Sequence, residues 1–197
     1  MRRFGILLVL VVATAIASTA GTAKASLIGG NCGALAPVFA PWGDWSSYYF
    51  APNGGFESGA YGWSLGGGAA VVTQSNEPWY LAGFGSHALQ IPQGGSASIN
   101  VCYGLTYPAV RFLAAGQGGP ATVHVRVLTR SLLGVLSVLD GGTFTTAEGW
   151  APSPQTSTLL SSLASLVGTK SMQLQFTVED GTAQIDDLFV DPFLTRS

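Results

Sequence analysis

From Asn53 onward the chain alternates short apolar runs with Gly, Pro, Asn and Ser clusters, the pattern of antiparallel strands joined by tight turns. Strands are predicted at residues 69–73, 87–91, 97–103, 109–114, 121–129, 135–139, 171–179 and 184–190. Two of them alternate cleanly enough to assign faces. In 121–129, Val123, Val125 and Val127 point one way, and Thr122, His124, Arg126 and Leu128 the other. In 171–179, Met172, Leu174, Phe176 and Val178 oppose Ser171, Gln173, Gln175 and Thr177. The apolar set of each strand builds the core, and Trp63, Phe112, Phe176 and Phe189 are expected to join it.

One segment has a different period. Between Pro154 and Gly168, residues Leu159, Leu160, Leu163, Leu166 and Val167 share a helical face, and Gly168 is placed to terminate it. This predicts a short amphipathic helix over an open end of the sandwich. Gly116-Gln117-Gly118-Gly119-Pro120 reads as a turn between strands. Asp140 beside Gly141-Gly142, and Glu179-Asp180-Gly181, also read as turns.

The N-terminus carries Arg2 and Arg3, an apolar run from Phe4, and the small-x-small exit Ala23-Lys24-Ala25. Residues 1–25 are read as a cleaved secretory signal peptide, with an uncleaved anchor helix as the alternative. The mature protein is then expected to be secreted and extracellular, with no membrane association after cleavage. Residues 26–52 form an irregular, aromatic-rich segment around Trp42-Gly43-Asp44-Trp45-Ser46-Ser47-Tyr48-Tyr49-Phe50, expected to pack on a sandwich spanning 53–193. One domain is enough for this length.

Removing Arg2, Arg3 and Lys24 leaves five of the eight basic residues against ten acidic ones, with no basic cluster. Such a surface makes nucleic acid and anionic membranes poor partners. Only 9% of residues are charged and 47% are hydrophobic, with aromatics spread along the chain, which favours a folded β-protein over disorder. Arginine outnumbers lysine, and with abundant alanine and glycine this points to a GC-rich bacterial source. In an oxidising compartment Cys32 and Cys102 are predicted to pair as a disulfide.

Hydrolase chemistry finds little support. No Gly-x-Ser-x-Gly pattern stands in an appropriate context, there is no His-Glu-x-x-His motif, and His87 and His124 are the only histidines. No glycine-rich stretch has phosphate-loop spacing. Glycoside hydrolysis needs two carboxyl groups roughly 5–10 Å apart, and spacing alone does not pair Glu57, Glu77, Glu148, Glu179, Asp180, Asp186 or Asp187.

Asn53-Gly54-Gly55-Phe56-Glu57 with Gly62-Trp63, the strand His87-Ala88-Leu89-Gln90-Ile91-Pro92, and the closing Ile185-Asp186-Asp187-Leu188 together resemble the family four and nine carbohydrate-binding modules, within the galactose-binding-like sandwiches. The resemblance covers about residues 53–191. It implies an all-β, antiparallel jelly-roll sandwich and a non-catalytic role in binding polysaccharide or cell-wall glycan. It also implies a structural calcium where the first and last strands meet, held by Glu57 and by Asp186 or Asp187. Sugar contacts would come from Trp79 and Tyr80 in the 76–85 loop, with His124, Arg126, Gln173 and Gln175 on the polar sheet face. The alternative is a structural or protein-interaction sandwich, with a protein partner and no sugar site.

Overall fold

A computed structural model describes residues 32–102, 109–157 and 169–191. The predicted signal peptide lies outside these residues, as does the predicted helix from residue 158 onward. Among the described residues no helix is long and apolar enough to cross a membrane.

Among the described residues twelve strands form two antiparallel sheets packed face to face. The first sheet is built from β3 (Ala70–Thr73), β4 (His87–Pro92), β12 (Thr182–Asp191), β6 (Ala109–Gly116) and β10 (Thr156–Ser157), in the order β10-β6-β12-β4-β3. The short β1 (Tyr49–Phe50) joins it on β12, and β9 (Ala151–Pro152) joins it on β6. The second sheet runs β2 (Trp63–Gly66), β5 (Ser96–Val101), β11 (Thr169–Asp180), β7 (Thr122–Ser131) and β8 (Leu136–Thr145), in the order β2-β5-β11-β7-β8. Every ladder is antiparallel. This is the all-β jelly-roll sandwich expected from the pattern. Trp63, Ala151 and Thr156 begin strands that the pattern did not mark.

Alternation decides which side chains fill the space between the sheets. Val123, Val125 and Val127 of β7 and Met172, Leu174, Phe176 and Val178 of β11 are buried, and their neighbours are partly exposed. They meet Leu89, Ile91, Val110, Phe112 and Ile185 of the first sheet. Phe112 and Phe176 touch edge to face across the core, with centroids 5.1 Å apart. Each such ring adds roughly 0.5–1.5 kcal/mol beyond its area burial.

In the first sheet β6 and β12 are buried on both faces, and residues 36–48 pack on their outer side. Ala36 and Tyr48 bridge each other there, and Phe39, Tyr48 and Phe189 form a second apolar cluster, separate from the sandwich core. Phe189 was expected in the main core and is instead buried on the opposite face. A bulge between Asp186 and Phe189 resets the parity of β12, so Leu188 takes the inward position. β6 is accordingly buried at every position, matching its near-continuous apolar sequence.

Two turn expectations divide. Gly181, at φ +73°, makes the tight connection from β11 to β12, as expected. Asp140-Gly141-Gly142 is not a turn between strands. It lies within β8, where a bulge opposite His124 and Arg126 accommodates it. A Cβ at Gly141 would sit 2.9 Å from the Val125 carbonyl oxygen, so the ladder closes there only around glycine.

Candidate functional site

The second sheet turns a polar face outward. Its rows follow from the register: Ser64, Ser98, Gln175, Arg126 and Asp140 lie side by side across five strands, and Asn100, Gln173, Leu128 and Val138 form the adjacent row. Four of the predicted ligand-binding residues, His124, Arg126, Gln173 and Gln175, therefore share one face. Strands spaced roughly 4.8 Å apart hold these side chains in a fixed lattice. Ser98 and Asn100 extend it and were missed, although polar residues at 96, 98 and 100 alternating with Ala97, Ile99 and Val101 carried the signal.

His124 sits in a charged cluster on this face. Its Nε2 is 2.7 Å from Asp140 Oδ1, its Nδ1 is 2.9 Å from Glu179 Oε1, and Arg126 Nη2 lies 3.0 Å from the same Nδ1. The hydrogen bonds to Asp140 from the Gly142 N–H and from His124 hold that carboxyl below the usual carboxylate range. Asp140 and Glu179 thus flank one imidazole. The Gln173 and Gln175 side chains make no hydrogen bond to other described residues and remain free to donate and accept.

The other two predicted ligand residues stand elsewhere. Trp79 and Tyr80 belong to the loop joining β3 and β4 of the first sheet. Trp79 Nε1 donates to the Trp150 carbonyl at 3.0 Å, and its ring packs edge-on against Trp42, 5.1 Å away. Tyr80 packs on Phe84, and its hydroxyl is 3.3 Å from Ser75 Oγ. The structure thus separates the expected aromatic platform from the expected polar face by placing them on different sheets.

The predicted metal residues converge on one pocket of about 240 Å³ lined by Glu57, Asp186 and Asp187. The Asn53–Glu57 turn and the β12 bulge meet there, with Asn53, Phe56 and Asp187 all at positive φ. Burial, then the neighbouring Asp187 charge, pushes the Asp186 carboxyl up to about 8. Asp187 is also raised, mainly by burial, although its Oδ2 accepts from Asn76 Nδ2 and from the Leu81 and Ala82 N–H groups. Asp186 and Asp187 are adjacent acids, and carboxylate oxygens are donors of the kind calcium takes. A Cβ at Gly55 would lie 3.5 Å from Asp187 Oδ1 and 3.7 Å from Asp186 Oδ1, so glycine leaves room beside both.

Glu57 is placed differently. Its Oε1 accepts from the Ser86 and His87 N–H groups, and its Oε2 lies 3.2 Å from both Ser86 Oγ and His87 Nδ1. Burial pushes it up, but these bonds together outweigh burial and leave it below the usual range. Among the described residues no three His, Cys, Asp or Glu side chains stand close enough to share a metal ion. Of the three predicted metal residues, Asp186 and Asp187 stand together, while Glu57 clamps the Ser86–His87 backbone.

The Cys32–Cys102 disulfide is formed, with Cα atoms 5.5 Å apart, tying the N-terminal segment to the end of β5. No protein-family model matches this chain, and no curated protein does. Solved structures share its fold. The CBM22-1 xylan-binding domain of Paenibacillus barcinonensis Xyn10C is 17% identical, covers 74% of this chain and 94% of its own, and superposes with a TM-score of 0.53. The C-terminal family 22 carbohydrate-binding module of Clostridium thermocellum Xyn10B is 15% identical over 76% of this chain and 96% of its own, with a TM-score of 0.51. The CBM22-2 xylan-binding domain of the Paenibacillus protein gives 11% identity, 70% and 96% coverage and the same TM-score. At such identities the likeness is one of fold, an antiparallel two-sheet sandwich.

Proposed function

We propose that this protein is a secreted, non-catalytic domain that binds polysaccharide or cell-wall glycan through the outer face of its second sheet. The observation that carries the reading is the shared lattice of Gln173, Gln175, Arg126 and His124, with Asn100 and Ser98 beside them. Glutamine amides offer donor and acceptor together, which suits adjacent sugar hydroxyls. The fold shared with carbohydrate-binding modules supports it, as do the Asn53–Glu57 and 185–188 motifs with their family four and nine likeness. Secretion rests on the leader-like residues 1–25 and on the disulfide. A calcium ion, in the same reading, is held by Asp186 and Asp187, with carbonyls and water completing its shell.

The test is a binding panel of soluble and insoluble polysaccharides against the mature, disulfide-bonded protein. Saturable binding that falls at least tenfold in Q173A/Q175A supports the sheet face. No binding across the panel overturns it. One observation favours the alternative of a protein partner: the β7–β8 hairpin exposes Leu132, Leu133, Val135, Leu136 and Val138 together.

A further inference from the structure

The turn sequence Trp42-Gly43-Asp44-Trp45-Ser46-Ser47 is absorbed neither by the sheet-face lattice nor by the acidic pocket. It builds a groove of its own on the opposite side of the sandwich. A 3-10 turn over Ala40–Trp42 ends at Gly43, whose left-handed φ of 80° reverses the chain. That reversal sends Asp44 inward and leaves Trp45 76% exposed.

Asp44 then organises the wall. Its Oδ1 accepts from the Ser46 N–H at 3.0 Å, and its Oδ2 accepts from Tyr48 Oη at 2.7 Å and Arg111 Nη1 at 2.8 Å. Arg111 is fixed on two further sides, by a bond from Nε to the Ser153 carbonyl and by the Phe39 ring 4.6 Å beneath its guanidinium. Gln155 donates to Tyr48 Oη and closes the chain of bonds. The rim is thus preorganised and stays so without a ligand.

The resulting groove encloses about 600 Å³ and is lined by both Trp42 and Trp45. That lies within the roughly 300–1,000 Å³ of small-molecule sites. Around the indoles stand the Ser47 hydroxyl, the Gln155 side-chain carbonyl oxygen and the Arg111 guanidinium. An exposed indole beside convergent hydroxyl, amide and guanidinium groups matches a pyranose, which has a C–H face to stack and a rim of hydroxyls to bond. Asp44 and Arg111 cancel in charge, so an acidic sugar finds no net attraction from this pair.

We propose that this groove is a second sugar subsite, independent of the sheet face, that stacks one ring of a neutral glycan on Trp45. The deciding experiment is an NMR titration of the disulfide-bonded protein, following the Trp45 indole N–H, assigned through W45F, and the Gln173 and Gln175 side-chain amides in the same spectra. The probes are xylohexaose, cellohexaose and mannohexaose, with hexagalacturonate as the acidic comparison. The Trp45 signal is expected to move saturably with at least one neutral probe and to stay put with hexagalacturonate. W45A, a change at an exposed position, is expected to weaken that binding at least tenfold while any glutamine-amide shifts persist.

A Trp45 signal unmoved by all three neutral probes overturns the subsite, whatever the glutamine amides do. Amide shifts with a silent Trp45 leave the sheet-face reading standing alone, and the converse leaves only the groove. Equal response to hexagalacturonate overturns the assignment to neutral glycans.

Discussion

The Leu188 N–H donates to the Gly54 carbonyl at 3.1 Å, and a Cβ at Gly54 would lie 2.8 Å from the Leu188 carbonyl oxygen. The opening turn and the closing strand therefore meet backbone to backbone, with the Ala51 N–H also bonded to Leu188. G54A is expected to destabilise by about 1–3 kcal/mol, the range for forcing atoms into a packed site. Chemical denaturation checks it. G55A, whose Cβ would meet the Phe50 ring at 3.3 Å, is expected to cost less because a side chain can yield where a backbone cannot.

Asp44 makes acid stability titratable. Burial pushes its carboxyl up, but the bonds from Tyr48, Arg111 and Ser46 outweigh burial and hold it below the usual carboxylate range. An acid depressed on folding contributes stability above its unfolded pKa, and loses that contribution as pH falls through the folded value. The stability gap between wild type and D44N is expected to be full at neutral pH and to shrink below roughly pH 4. Denaturant midpoints measured from pH 6 downward read this directly. A gap constant with pH would exclude the Asp44 linkage.

The Cys32–Cys102 bond closes a loop with a sequence separation of 70, and Tyr49 Oη donates to the Cys102 carbonyl beside it. In the chain-entropy model, C32S/C102S is expected to lose roughly 4 kcal/mol. The loss should match that caused by reducing the wild type. Equal stability of the oxidised and reduced protein would contradict it.

Calcium, if held by Asp186 and Asp187, raises stability by mass action, by about 2.7 kcal/mol at a hundredfold excess over its dissociation constant. The melting temperature is therefore expected to rise with calcium over chelator in the wild type and to be insensitive in D187N. H87A, which removes a partner of Glu57 rather than an acid of the pocket, is expected to retain the response. A wild-type melting temperature indifferent to calcium would remove the ion from this site.

Much of the sandwich was legible in the chain because burial of one sheet face imprints a period of two on each strand, as Val123, Val125 and Val127 demonstrate. The same alternation put His124, Arg126, Gln173 and Gln175 on an outward face, and an even cysteine count behind a leader-like N-terminus anticipated the disulfide. Strand pairing, loop placement and chain reversals are not local properties. The β12 bulge moves Phe189 out of the sandwich core, although nothing in the 184–190 run announces an extra residue. Trp79 and the glutamines were grouped by chemistry, yet fall on different sheets because β3 pairs with β4 and β4 with β12, not with β5. Asp44 and Arg111, 67 residues apart, become partners only once the N-terminal segment lies across β6. Sequence by itself determined which side chains face in and which face out, and only the tertiary structure decided which of the outward ones meet, because contact across strands depends on register and crossover, not on any one segment's pattern.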